Sequence, residues 1–247
     1  MTGEIPIFLK AEPVFHLGSF TITNSLLLSW LILAIFGIGG LVLSKKWRSI
    51  PGKIQAAFEM IVEGVLNLME SVLGNRGEAE KYLPFIATIF LFITFSNWMG
   101  IFPVLGTLGI FEGSGRTFVP LFRSPASDLN FTIALAVISI AAVNIAGARR
   151  LGFFKHFKKF FNFTNPINFF VGILEFFSEF AKMISFSFRL FGNIFAGEVL
   201  LIIMASLLPY LAPIPFLFLE IFVGFIQAFI FGMLTLVFIA GAVREEH

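Results

Sequence analysis

"SFSFRLFGNIFAGEVLL", residues 185–201, sets Arg189 and Glu198 inside an otherwise apolar run. Either these charges sit in water at a membrane edge, or the protein moves charge through a bilayer. The composition makes lipid the medium. Hydrophobic residues are 57% of the 247 and charged residues 13%, about half the share of roughly 25% in a soluble domain. One globular core of this length cannot hide so much apolar surface, and the 36 Phe read as lipid-facing or helix-packing side chains. The chain has no Cys, which excludes disulfides, thiolate metal sites and sulfur redox chemistry. The net charge of +2 is small, and the basic residues lie in loops beside apolar segments. That distribution fits membrane topology and not nucleic-acid binding. Residues 1–20 carry Glu4 and Glu12 before any apolar run and no basic stretch, unlike a cleaved signal peptide.

Crossing hydrocarbon takes about 20 apolar residues in a helix. Residues 21–43, 82–105 and 129–148 meet that requirement, and longer stretches follow at 168–208 and 214–243, separated by the proline-rich "PYLAPIP". Residues 50–74 keep a helical apolar pattern interrupted by Glu59, Glu63 and Glu70, which suggests an amphipathic helix on the membrane surface. The expected fold is an all-α, single-domain integral membrane protein of about five spans plus that surface helix, with residues 1–20 as an outer tail. Residues 168–208 in one helix would extend about 60 Å, twice the roughly 30 Å of hydrocarbon. Unless Gly172, Gly192 or Gly197 breaks it, the helix lies strongly tilted, and the last two helices form a long slanted hairpin.

Lys45, Lys46, Arg48, Lys53, Arg76 and Lys81 lie between the first two spans, and Arg149, Arg150, Lys155, Lys158 and Lys159 between the third and fourth. Placing both groups in the cytoplasm puts the N-terminus outside and the C-terminus inside. The loop holding Arg116 and Arg123 then lies outside, against the rule.

At 100° per residue, Ser185, Lys182, Ser178 and Glu175 fall within about 40° of Arg189, and Asn193 joins the same face. Glu179 lies off the edge of this stripe, where it and Lys182 suit a pair near the cytoplasmic surface or snorkelling side chains. Such a bland reading suits Arg189, Glu198 and Glu220 poorly, because 8 and 21 uncharged residues separate them in turn. An intramembrane charge costs at least roughly 2.5–3.5 kcal/mol and marks ion pathways. Glu198 lies about 180° round the helix from Arg189 and faces a different cavity unless the helix kinks. Glu220 and Gln227, seven apart, share a face of the last helix. Counted to a turn centre near Ala212, Glu198 and Glu220 differ in depth by roughly 9 Å, as successive stations on one path.

"RLFGNIFAGE" followed by "IQAFIFGMLTLVFIAG" resembles subunit a of the F-type ATP synthase, the stator subunit beside the rotating c-ring. The likeness is strongest over residues 170–243 and extends to "SPASDLN", residues 124–130. It implies that Arg189 is the essential stator arginine, with Asn193 and Gln227 as polar neighbours. It implies that Glu198, Glu220 and Asp128 line an aqueous half-channel from the outer side, and that Glu175, Ser178, Lys182 and Ser185 belong to the cytoplasmic one. Some members carry histidine where this chain has Glu220. The implied partners are the c-ring, the peripheral-stalk subunit b, the rest of the synthase and lipid, in a bacterial plasma membrane. No cofactor, metal or nucleic acid is expected.

A stand-alone channel or secondary transporter is the alternative, and it would call for internal repeats or paired broken helices. One helix alone carries the arginine stripe. A membrane enzyme is disfavoured: His16, His156 and His247 are scattered, and no HExxH, GxSxG or Walker pattern occurs.

Overall fold

A computed structural model describes residues 11–18, 20–46, 52–102, 108–112, 117–152, 166–209 and 211–244. Among the described residues six α-helices carry the fold: α1 (Asn24–Lys46), α2 (Lys53–Leu73), α3 (Arg76–Ile101), α4 (Leu129–Leu151), α5 (Pro166–Leu207) and α6 (Pro213–Arg244). Five of them, all but α2, are long and apolar enough to cross a membrane. In hydrocarbon no water pairs a free N–H or C=O, so helices that satisfy their own backbone are the form these runs must take. The protein is an all-α, multi-pass membrane protein.

The third helix starts earlier and stops sooner than residues 82–105. Gly74, at φ 75, ends α2 in the left-handed conformation. The Asn75 side chain then accepts from the N–H groups of Gly77 and Glu78 and starts α3 six residues upstream of the apolar run. Arg76 ties the two helices together, donating to Glu63 at 2.7 Å and to Asn67 at 2.8 Å on α2. Helix α5 runs unbroken through Gly172, Gly192 and Gly197 for 42 residues. At about 63 Å it is twice the hydrocarbon thickness, so it lies aslant or protrudes.

Packing concentrates in α3, α4, α5 and α6: α6 lies against each of the other three and α4 against α5, while α2 lies against α3 and α6. One buried cluster joins Leu66, Met69 and Leu73 of α2 to Ile86, Val143, Leu236 and Ile239. A second joins Ile89 and Ile93 to Leu190, Ile194 and Phe231, around Phe186. The ring of Phe186 lies 5.0 Å from that of Phe231 and 5.5 Å from that of Phe238, which keys α5 to α6. The N-terminal half of α2 leaves Phe58, Met60, Ile61 and Val62 exposed.

Two antiparallel hairpins, absent from the sequence-based expectation, sit at one end of the bundle. Strands β1 (Pro13–Leu17) and β2 (Phe20–Thr23) place part of the N-terminal tail in regular structure, and β3 (Gly109–Glu112) pairs with β4 (Thr117–Pro120). Asn24, fully buried, fastens both. Its Oδ1 accepts from the Glu12 N–H at 3.3 Å, and its Nδ2 donates to the Pro120 carbonyl at 3.3 Å. Arg48, Arg116, Lys155, Lys158, Lys159, His156 and His247 lie outside the described residues.

Replacing Asn24 with Leu strands buried backbone groups, which costs about 1–3 kcal/mol. Hydrogen exchange of residues 11–23 and 117–120 is expected to rise about ten-fold or more, with α4–α6 unchanged. Equal acceleration throughout would show that the hairpins do not depend on this residue.

Candidate functional site

The period of α5 turns Ser178, Lys182, Ser185 and Arg189 toward one groove, with spacings of four, three and four residues. Leu234 and Phe238 of α6 form the opposite wall of this cavity of about 280 Å³. Arg189 Nη2 donates to Ser185 Oγ at 3.3 Å, one turn back. Lys182 donates to Glu179 at 2.8 Å and lies 4.9 Å above the Phe238 ring, so its ammonium is held by a carboxylate and an aromatic face. Glu175 lies a further turn toward the start of α5, half-buried and outside the groove lining. The arginine itself is exposed on the chain's surface, beside Phe188.

Next along α5 comes an amide pair. Asn193 Nδ2 donates to Gln227 Oε1 at 2.7 Å, joining α5 to α6 one turn past the arginine. Gln227 is buried, and its Nε2 has no partner among the described residues. Asn97 of α3 donates to the Gly224 carbonyl at 2.9 Å, a turn away on α6, where the glycine admits the close approach.

Beyond the amides lies a second polar group, with different partners from the groove. Glu198 points to Arg123, whose Nε lies 3.1 Å from Glu198 Oε1, and not toward Arg189. Arg123 is only 9% exposed. It precedes a 3₁₀ turn, Pro125–Ser127, that ends on Asp128. Asp128 caps α4 by accepting from the Asn130 N–H at 3.0 Å, and it accepts from Ser25 Oγ of α1 at 2.9 Å. Glu220 is buried on α6 with its carboxyl seated on Gly197, where a Cβ would overlap it, and its Oε1 has no partner among the described residues.

Along α5, Ser178 and Glu198 are 20 residues apart, about 30 Å, which is the thickness of hydrocarbon. Arg189 falls near the middle. Two features differ from the sequence reading. Glu198 and Glu220 are level and not 9 Å apart: Glu198 lies nine residues before the end of α5 and Glu220 seven after the start of α6, a difference of about 3 Å that a side chain spans. A count from the turn's centre misses that the two helices start from unequal ends of that turn. Arg123, a loop charge that the sequence reading places against the topology rule, is a buried ion-pair partner. A basic residue on the wrong side of that rule, five residues before Asp128, was the available signal. Ser25 and Asn97 gave none.

This is a polytopic helical membrane protein whose longest helix carries an arginine between two polar sets. The chain belongs to the ATP synthase A chain family, whose model matches residues 26–240. It is 35% identical to the ATP synthase subunit a of Campylobacter concisus over 98% of both chains. It is 34% identical to that of Moorella thermoacetica over 96% of this chain and 98% of the relative. With Geotalea daltonii the identity is 33% over 89% and 87%.

An added Cβ at Gly197 has to displace the Glu220 carboxyl. Gly197→Ala is therefore expected to destabilise the protein by about 1–3 kcal/mol, as overpacking does. In a Glu220→Ala background the same change should cost little, as thermal unfolding in detergent would report. A full cost in both backgrounds would mean that the glycine serves some other contact.

Proposed function

We propose that this chain is the proton-conducting stator subunit of the membrane sector of a rotary ATP synthase, with the c-ring running past α5 and α6. The observation that carries the reading is Arg189, exposed on the chain's surface at the end of a polar groove, with a separate polar group farther along the same helix. In this reading Asp128, Glu198 and Glu220 line the path from the outer side. Glu175, Ser178, Lys182 and Ser185 line the cytoplasmic path, and Asn193 and Gln227 flank the arginine. The N-terminus lies outside and the C-terminus in the cytoplasm of a bacterial plasma membrane. The peripheral-stalk subunit b holds the chain against the ring's torque, and nucleotide chemistry belongs to other subunits.

The mechanism follows from what a guanidinium is. It keeps its proton under all relevant conditions, whereas a buried lysine can lose one. A permanent cation beside a ring carboxylate favours the carboxylate's charged form and so drives proton release. Once past the arginine, that carboxylate must regain a proton before it can face lipid, where a bare charge is costly. The same cation repels protons that would otherwise cross straight from one path to the other. Each proton falling through 100 mV releases about 2.3 kcal/mol, and turning the ring is the only low-cost route.

Arg189→Lys is expected to abolish ion-driven ATP synthesis while the complex still assembles, because lysine lacks the always-protonated planar fork. Near-normal synthesis in membranes carrying that variant would sink the assigned role. In the assembled complex, cysteines at positions 175, 178 and 185 should react with water-soluble thiol reagents, and one at 188 should not. Equal labelling at all four positions would remove the cytoplasmic path.

A further inference from the structure

Two carboxyls meet at the same level of the α5–α6 hairpin, and the chain treats them differently. Glu198 has a cation. The guanidinium of Arg123 engages both of its oxygens, with Nε 3.1 Å from Oε1 and Nη2 donating to Oε2 at 3.3 Å. Glu220 has no such partner: its carboxyl rests on Gly197, and Oε1 is buried without a hydrogen bond among the described residues. The guanidinium is itself held in place. Its Nε also donates to Ser127 Oγ at 3.1 Å, and that hydroxyl donates to the Ser124 carbonyl at 2.9 Å, within the 3₁₀ turn. Pro125 starts this turn and Asp128 ends it. One short turn therefore fixes both the cation on Glu198 and the carboxylate that caps α4.

We propose that Arg123 is a positioning residue of the outer path: it locks Glu198 as a paired carboxylate and leaves Glu220 as the carboxyl that takes up and passes the proton. The proposal rests on the stator reading above and assigns unequal roles to two acids within it. A paired carboxylate accepting hydrogen bonds from a fixed guanidinium is a poor relay, since taking up a proton breaks the pair. A carboxyl without a partner can take up and release a proton with no other bond to break. Among the described residues, the charged or titratable groups brought to this level are Arg123 and Asp128 from the segment before α4, Glu198 from α5 and Glu220 from α6, with Glu12 bonded to Asn24 at the head of α1. Helices α3 and α1 contribute the uncharged Ser96, Asn97 and Ser25.

The test is ATP-driven proton pumping by the intact synthase in inverted membrane vesicles, normalised to the amount of assembled complex. Glu220→Gln is expected to lose about ten-fold or more, and Glu198→Gln no more than about three-fold, because only the first removes a transferring group. Arg123→Gln should lose about ten-fold, because it leaves the half-buried Glu198 carboxylate without its cation. The double variant Arg123→Gln with Glu198→Gln should recover to the level of Glu198→Gln alone, an outcome that additive damage to the turn cannot give. If Arg123→Gln blocks assembly, the double variant still has to assemble and pump at that level. A double variant no better than Arg123→Gln, or a Glu198→Gln loss as deep as that of Glu220→Gln, overturns the proposal. Arg189→Lys in the same vesicles separates the two levels of failure. If it is inactive while the double variant stays defective, only the role of Arg123 falls; if it pumps normally, the stator reading falls with it.

Discussion

A guanidinium on a helix long enough to span hydrocarbon twice over is the constraint around which the chain is arranged. Holding a charge at mid-membrane costs at least roughly 2.5–3.5 kcal/mol, so Arg189 needs polar company that lipid cannot supply. Ser185 lies one turn before it, and the Asn193–Gln227 pair one turn after. The other polar side chains of α5 lead away from it in two directions and on different sides of the helix. Glu198 turns toward Arg123 and the groove residues turn toward α6, with the Asn193–Gln227 amides between the two sets. Apolar packing flanks the amides: Leu190 and Ile194 are buried on the same stretch of α5, and the Phe186 ring keys α5 to α6.

What the sequence disclosed and what it withheld divide along the range of the interactions. The stripe from Ser178 to Arg189 was legible because it depends only on the 3.6-residue period of one helix, which needs no knowledge of neighbours. The five apolar runs were legible for a similar reason, since length and hydropathy alone decide them. The Arg123–Glu198 pair was not, because its members are 75 residues apart and nothing local to either announces the other. The shared level of Glu198 and Glu220 depended on where a proline-rich turn hands one helix to the next, an end effect that counting cannot settle. The start of α3 was hidden by charge: Arg76, Glu78, Glu80 and Lys81 look like loop, yet an asparagine cap and the pairing of Arg76 with α2 make them helical. The hairpins were missed because strands of four and five residues beside long apolar helices give too short an alternation to register.

The small residues at the site have a shared logic. Gly197 and Gly224 are the points where a polar side chain of a neighbouring helix lies directly on a backbone: Glu220 on the first, Asn97 on the second. A side chain at either place would hold the helices apart and leave the polar group short of its station. Close approach without a Cβ is how membrane helices bring polar groups together when water offers no help.

The attachment of α1 sets a clock for the making of this protein. That helix is thinly covered, with 17% of its spanning window buried, and it is secured at its N-terminal end by Asn24 to Pro120 and by Ser25 to Asp128. Those partners lie 96 and 103 residues downstream. At about 5–20 residues per second of synthesis, α1 stands in the bilayer for roughly 5–20 s before Pro120 and Asp128 exist for it to hold. During that interval the Asn24 amide has only Glu12 of its own hairpin to pair with, and the Ser25 hydroxyl only Thr23 or water. Biogenesis therefore includes an interval in which the first helix is threaded and waiting, and its anchors arrive before α5 and α6 do.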